Sequence, residues 1–74
     1  QVERDGKYFT ITIDGKPAGS RYRSNMEISK RLFQAGLISR PYTSALRDET
    51  SLDATKLTIG DSQSWGTVIV TRTA

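Results

Sequence analysis

Phe9-Thr10-Ile11-Thr12-Ile13-Asp14-Gly15-Lys16-Pro17 alternates apolar and polar side chains and then runs into Asp-Gly. Period-two alternation rich in β-branched residues makes a half-buried strand. It turns Phe9, Ile11 and Ile13 toward a core and leaves Tyr8, Thr10 and Thr12 on the opposite face. Asp14-Gly15 tolerates the positive φ that a tight hairpin demands. Pro17 lacks a ladder donor, so it belongs in the turn or on a strand edge. Residues 18–23 (Ala-Gly-Ser-Arg-Tyr-Arg) return as a second strand. Arg21 and Arg23 then share one face, with Tyr22 on the other.

Working outward, Ser24 and Glu27 have the spacing of a capping box, in which each side chain satisfies an amide at the start of a helix. Met26, Ile28, Ser29, Leu32, Phe33 and Ala35 fall on one half of the helical wheel, and Glu27, Lys30, Arg31 and Gln34 on the other. Gly36 closes the helix as an αL cap, with Leu37 folding back as its apolar contact. The spacing predicts a helix over 25–35.

Residues 38–54 scatter the apolar anchors Ile38, Tyr42, Leu46 and Leu52 among polar residues. A structureless connection of this length is unusual in a small domain. It is either a short helix near 43–49 or a functional loop. Leu57 and Ile59 alternate as a third strand near 55–60, Gly60 to Ser64 reads as a turn, and 65–73 is the strongest strand. The run Val68-Ile69-Val70 suits a strand covered on both faces or by a partner. The fold class expected is α+β: a two-layer ββαββ domain, with a four-stranded, mostly antiparallel sheet and one helix packed on one face. The other face is open or covered by 38–54. Residues 1–6 are a loose lead-in, and 7–74 form the single domain.

Composition excludes more chemistry than any motif includes. The 74 residues contain no His and no Cys. General acid–base work therefore lacks its usual carrier. No thiolate nucleophile, disulfide or thiolate metal site can form. The Asp48-Glu49 pair reads as solvated loop, and Ser and Thr find no base except Lys or carboxylates, which leaves a Ser–Lys arrangement open. Asp14, Asp53 and Asp61 lack calcium-loop spacing, and no phosphate-binding glycine loop is present. No cofactor, metal or enzymatic activity is expected. No stretch is long and apolar enough to span a membrane, and no signal peptide is visible. The chain starts at Gln1 and its one Met is Met26, which reads as a processed product or a piece of something longer.

Charge points to a partner. Residues 1–40 hold eight basic and four acidic side chains; residues 41–74 hold three and four. That asymmetry suggests one face meeting an anionic partner. Lys7, Tyr8, Lys16, Arg21, Tyr22 and Arg23 gather on the first hairpin, with Arg40 further along. Arginines interleaved with aromatics suit phosphate contacts and base stacking. Two arginines on one strand face also serve to protect an edge from aggregation. Lys30 and Arg31 follow Glu27 at ion-pair spacing, so that helix face reads as structural.

Gly6-Lys7-Tyr8, Ile13-Asp14-Gly15-Lys16, Tyr22-Arg23-Ser24 and the helix after them resemble the arm-binding domains of tyrosine recombinases and the related AP2-type domains. The resemblance covers residues 6–36, under half the chain. It implies a sheet that enters the major groove of DNA. Those families place three strands before the helix, where two are read here, and lack the strong closing strand.

The first functional expectation is a non-enzymatic module that binds nucleic acid through Lys7, Tyr8, Lys16, Arg21, Tyr22, Arg23 and Arg40. The alternative is a protein-interaction or assembly subunit that uses Ile38, Tyr42, Leu46, Trp65 and the last strand.

Overall fold

The computed structural model describes residues 8–19 and 21–73. Lys7 and the lead-in 1–6 lie outside the described residues. Asp14 and Gly15 take φ values of 53° and 77°. Positive φ at both central residues is the two-residue turn whose twist matches its flanking strands. The turn joins β1 (Phe9–Ile13) to β2 (Lys16–Pro17). Pro17 sits opposite Thr12 on this short outer strand, where its missing donor costs no ladder bond. Beyond Pro17 the chain stays against β1: Ala18 N–H donates to Ile11 at 2.7 Å, and Phe9 N–H to Tyr22 at 2.8 Å.

The helix α1 spans Asn25–Gln34, close to expectation. Its end is a Schellman cap: Gly36 N–H donates to Phe33 O and Leu37 N–H to Leu32 O. Its start differs from expectation. Ser24 makes no side-chain cap bond, and Glu27 Oε1 accepts instead from the Arg23 amide at 2.9 Å. The carboxylate therefore reaches back along the chain, and among the described residues it forms no ion pair with Lys30 or Arg31.

The 38–54 segment resolves as a second helix, α2 (Thr43–Thr50). Ala45, Leu46 and Thr50 are its buried side chains. Thr50 Oγ1 donates to Leu46 O and accepts from Leu52 N–H, which stops the helix without a buried unsatisfied hydroxyl. The connection before α2 is held by Glu49, which accepts from the Ser39 amide and hydroxyl. The layout is thus β-β-α-α-β-β, with two helices where one was expected.

The third strand also moves. Residues 55–60 do not form it; a 3-10 turn occupies Ala54–Lys56. The strand is β3 (Ser62–Trp65), in the stretch read from sequence mainly as a turn. Local side-chain bonds explain the shift. Asp53 accepts from the Thr55 amide and hydroxyl, and Asp61 from the Thr58 amide and hydroxyl. Such Asp–Thr bonds wind the backbone and compete with a ladder. Leu57 is buried, but Ile59 is 68% exposed, so their alternation marks no strand. Gly66-Thr67 turns the chain into β4 (Val68–Arg72).

The sheet is antiparallel throughout, in the order β2-β1-β4-β3. β4 pairs β1 along its length, Phe9 to Arg72 through Ile13 to Val68. Phe9, Ile11, Val68 and Val70 meet Ile28, Leu32, Ile38, Leu46, Leu52, Ala54 and Leu57 in one core. Val68 and Val70 are fully buried, while Ile69 between them is 42% exposed. β4 is therefore covered on one face by the helices, and the run of three apolar residues does not mean burial on both.

Candidate nucleic-acid interface

Strand partners place their side chains on the same face of a sheet. The register therefore fixes what the uncovered face carries. Thr10, Thr71 and Ser62 form one row across β1, β4 and β3, and Thr12, Ile69 and Ser64 the next. Ser62 Oγ and Thr71 Oγ1 are 2.8 Å apart and share a hydrogen bond. Both helices pack on the other face, so among the described residues this face is a platform of hydroxyls around one exposed isoleucine.

Tyr8 stands on the same face at the end of β1, and its carbonyl accepts from the Thr73 amide at 2.9 Å. The guanidinium carbons of Arg21 and Arg23 lie 5.9 and 5.7 Å from its ring centroid. The bridge between Phe9 and Tyr22 explains the convergence. Tyr22 shares the core face with Phe9, so its two neighbours point the other way, over the ring of Tyr8. Both arginines are exposed, and neither forms an ion pair with a carboxylate among the described residues. Stacking on an aromatic face steers a guanidinium with about 0.5–1 kcal/mol of attraction at exposed sites. The edge of each fork remains available to an anion.

The expected residues divide accordingly. Tyr8, Arg21 and Arg23 come together. Tyr22 does not join them: its ring packs against the core and its hydroxyl donates to Ala18 O. Lys16 pairs with Ile13 and Tyr22 with Phe9, which puts Lys16 on the helix-facing side, four β1 positions or roughly 13 Å along the edge from Tyr22. Arg40 is exposed in the connection between the helices, in the layer opposite the platform. Lys7 is outside the described residues.

Basic residues that sequence reasoning set aside extend the cluster around the sheet edge. A shallow hollow between the β2 edge and α1 is lined by Arg21, Lys30 and Arg31, with Glu27 as its one carboxylate. The signal was present in the i, i+3 and i, i+4 spacing, but it was read as ion pairing that the Glu27 bond to Arg23 pre-empts. Arg47 and Arg72 were not anticipated as site residues at all. Nothing in their local sequence brings them near Arg23; the fold does.

The residues of the protein-interaction alternative are mostly taken up internally. Ile38 and Leu46 are core, and Trp65 is half-buried against it. Tyr42 alone stands exposed, at 54%. Among the described residues no cluster of three or more acidic side chains is placed to hold a metal ion, and no helix is long and apolar enough to cross a membrane. Comparison with protein-family models, with curated proteins and with solved structures found no match to this chain.

Proposed function

We propose that the domain is a non-enzymatic module that binds nucleic acid through the uncovered sheet face and the arginine pair at its edge. The observation that carries this reading is the placement of Arg21 and Arg23 over Tyr8, beside a hydroxyl platform that neither α1 nor α2 covers. Guanidinium groups supply phosphate contacts, and these position a protein on its nucleic acid. Ser and Thr hydroxyls accept from or donate to base edges, and the exposed Ile69 offers an apolar contact of the kind a thymine methyl takes. Strands are established readers of grooves. Tyr8 doubles as a stacking surface for a base if an arginine swings away.

The test is binding of labelled random-sequence DNA by Arg21→Gln with Arg23→Gln. The proposal expects a loss of about tenfold or more at physiological salt, from two charge-assisted contacts. Unchanged binding by the double variant would overturn it. Binding that ignores salt and is lost on Trp65→Ala would instead indicate a protein-type contact through the closing hairpin.

A further inference from the structure

The two edges of the sheet differ. β2 is two residues long, Lys16 and Pro17, and Arg21 and Arg23 follow it along β1. A short edge with a lysine, a proline and flanking arginines is guarded against pairing with another chain. β3 is the opposite edge. Its residues, Ser62-Gln63-Ser64-Trp65, carry no charge and no proline. Their register on β4 runs without a break, so no bulge within β3 turns this edge away.

Pairing with β4 fixes what the edge offers. Trp65 and Val68 close a two-residue turn, which makes them a pair that exchanges both backbone bonds. Alternation then directs the amides and carbonyls of Gln63 and Trp65 toward β4, and those of Ser62 and Ser64 outward. The Arg72 amide donates to Asp61 O at 2.9 Å, in keeping with that alternation. No other backbone among the described residues takes up the outward groups of Ser62 and Ser64.

We propose that a second copy of this chain pairs along β3, antiparallel, and joins the two four-stranded sheets into one. A twofold axis at Gln63 sets it against the second copy's Gln63, and sets Ser62 against the second copy's Ser64. The outward groups then meet as mutually bonded pairs, and every side chain keeps its face of the sheet. A foreign strand added to an edge is selected by pockets for its alternate side chains. Ser62 and Ser64 form no such pocket, but in this register they match themselves. Charge favours the same arrangement. β3 is neutral, and the arginine pairs come to lie on the two outer edges, seven strand spacings or roughly 34 Å apart. That is several screening lengths of about 8 Å at physiological salt. The shared edge is small beside the roughly 1,200–2,000 Å² of a stable complex, so free copies pair weakly.

The separation of the arginine pairs matches one turn of duplex DNA, about 34–36 Å, at which a twofold dimer meets two half-sites. This consequence rests on the function proposed above; the pairing itself does not.

The test is an amide NMR dilution series of the full chain without DNA, up to about 1 mM. Concentration-dependent shifts are expected at Ser62 and Ser64, with slower tumbling. Ser64→Pro removes a donor that the ladder with β4 does not use, and should abolish both effects. Ser62→Lys with Ser64→Lys, and Ser62→Glu with Ser64→Glu, supply a second route. Each variant alone should associate about tenfold more weakly, and an equimolar mixture should regain the loss. A chain that stays monomeric at about 1 mM, shifts centred on another surface, or association that survives Ser64→Pro would overturn the proposal. A mixture no tighter than its parts would overturn the register. On a duplex of about 20 base pairs the second copy should bind about tenfold tighter than the first, and Ser64→Pro should remove that gain without weakening binding to about 8 base pairs. Independent binding on the longer duplex would overturn the match to one turn. Pairing without binding to either duplex would overturn the sheet-face reading and leave the pairing standing.

Discussion

Asn25 joins the first residue of α1 to a segment 28 and 29 positions away in sequence. It is 4% exposed. Its Oδ1 accepts the Ala54 amide at 2.8 Å, and its Nδ2 donates to Asp53 Oδ1 at 2.9 Å. Replacement by alanine removes both bonds at once. The Ala54 amide, on a residue 3% exposed, loses its acceptor, and an orphaned buried amide costs about 1–3 kcal/mol. The bond to a charged carboxylate adds about 1.5–3 kcal/mol, reduced because Asp53 keeps Thr55 and gains water. The expected total for Asn25→Ala is about 2–4 kcal/mol. A chain of this length has only roughly 4–11 kcal/mol in hand, and its Tm should fall by at least about 10 °C. Urea unfolding followed by fluorescence of the half-buried Trp65 and by circular dichroism reads the loss. A cost below about 0.5 kcal/mol would refute the claim that this clasp organises the junction of helix layer and sheet.

Two further outcomes follow from single positions. Gly19 has φ of +122°, and a Cβ there would lie 2.5 Å from Tyr22 Oη and 2.8 Å from its ring. Gly19→Ala should cost about 2–3 kcal/mol through backbone strain and the displaced ring, read by urea unfolding; a neutral result would contradict the packing of Tyr22. Bonds from Thr55 and then Asn25, with help from Arg47, hold the Asp53 carboxyl at about 2 against its ordinary 3.8. A depressed folded pKa gives stability that is complete above the unfolded value and lost as pH falls through the folded one. Screening around this partly exposed pair leaves about 1–2 kcal/mol to disappear between roughly pH 4 and pH 2. Asp53→Asn should remove most of that slope, measured as the urea midpoint against pH. Asp61, lowered by its Thr58 bonds, contributes a remainder of the same sign. A slope unchanged in Asp53→Asn would contradict the assignment.

The first hairpin and α1 were legible because their signals are local. Alternation from Phe9 to Ile13, the Asp-Gly turn and the Gly36 cap each depend on neighbours in sequence, and each is where the pattern placed it. α2 was legible only as one of two options, since its apolar anchors are few. The error at 55–65 has a physical source. Leu57 and Ile59 carry the alternation of a strand, but Asp53 and Asp61 turn the backbone locally, and Ser62 to Trp65 pairs because β4 offers a partner. Ladder partners are tertiary information, which a polar Ser-Gln-Ser stretch does not announce. The site divides in the same way. Arg21 and Arg23 share a face by strand periodicity, whereas Arg47 and Arg72 reach the neighbourhood of Arg23 only through the packing of α2 and the end of β4.

The measurement that bears most directly on the proposed function is the salt dependence of DNA binding by the unaltered domain, single- and double-stranded, from 50 to 200 mM. If Arg21 and Arg23 meet phosphates, with Lys30 and Arg31 extending the contact, two to four counterions are released. The slope of log K against log salt on duplex DNA should then be about −2 to −4, a loss of roughly 15- to 250-fold over that range. Arg21→Gln with Arg23→Gln should flatten the slope by about two. No binding at 50 mM salt, or a slope near zero, would contradict the account.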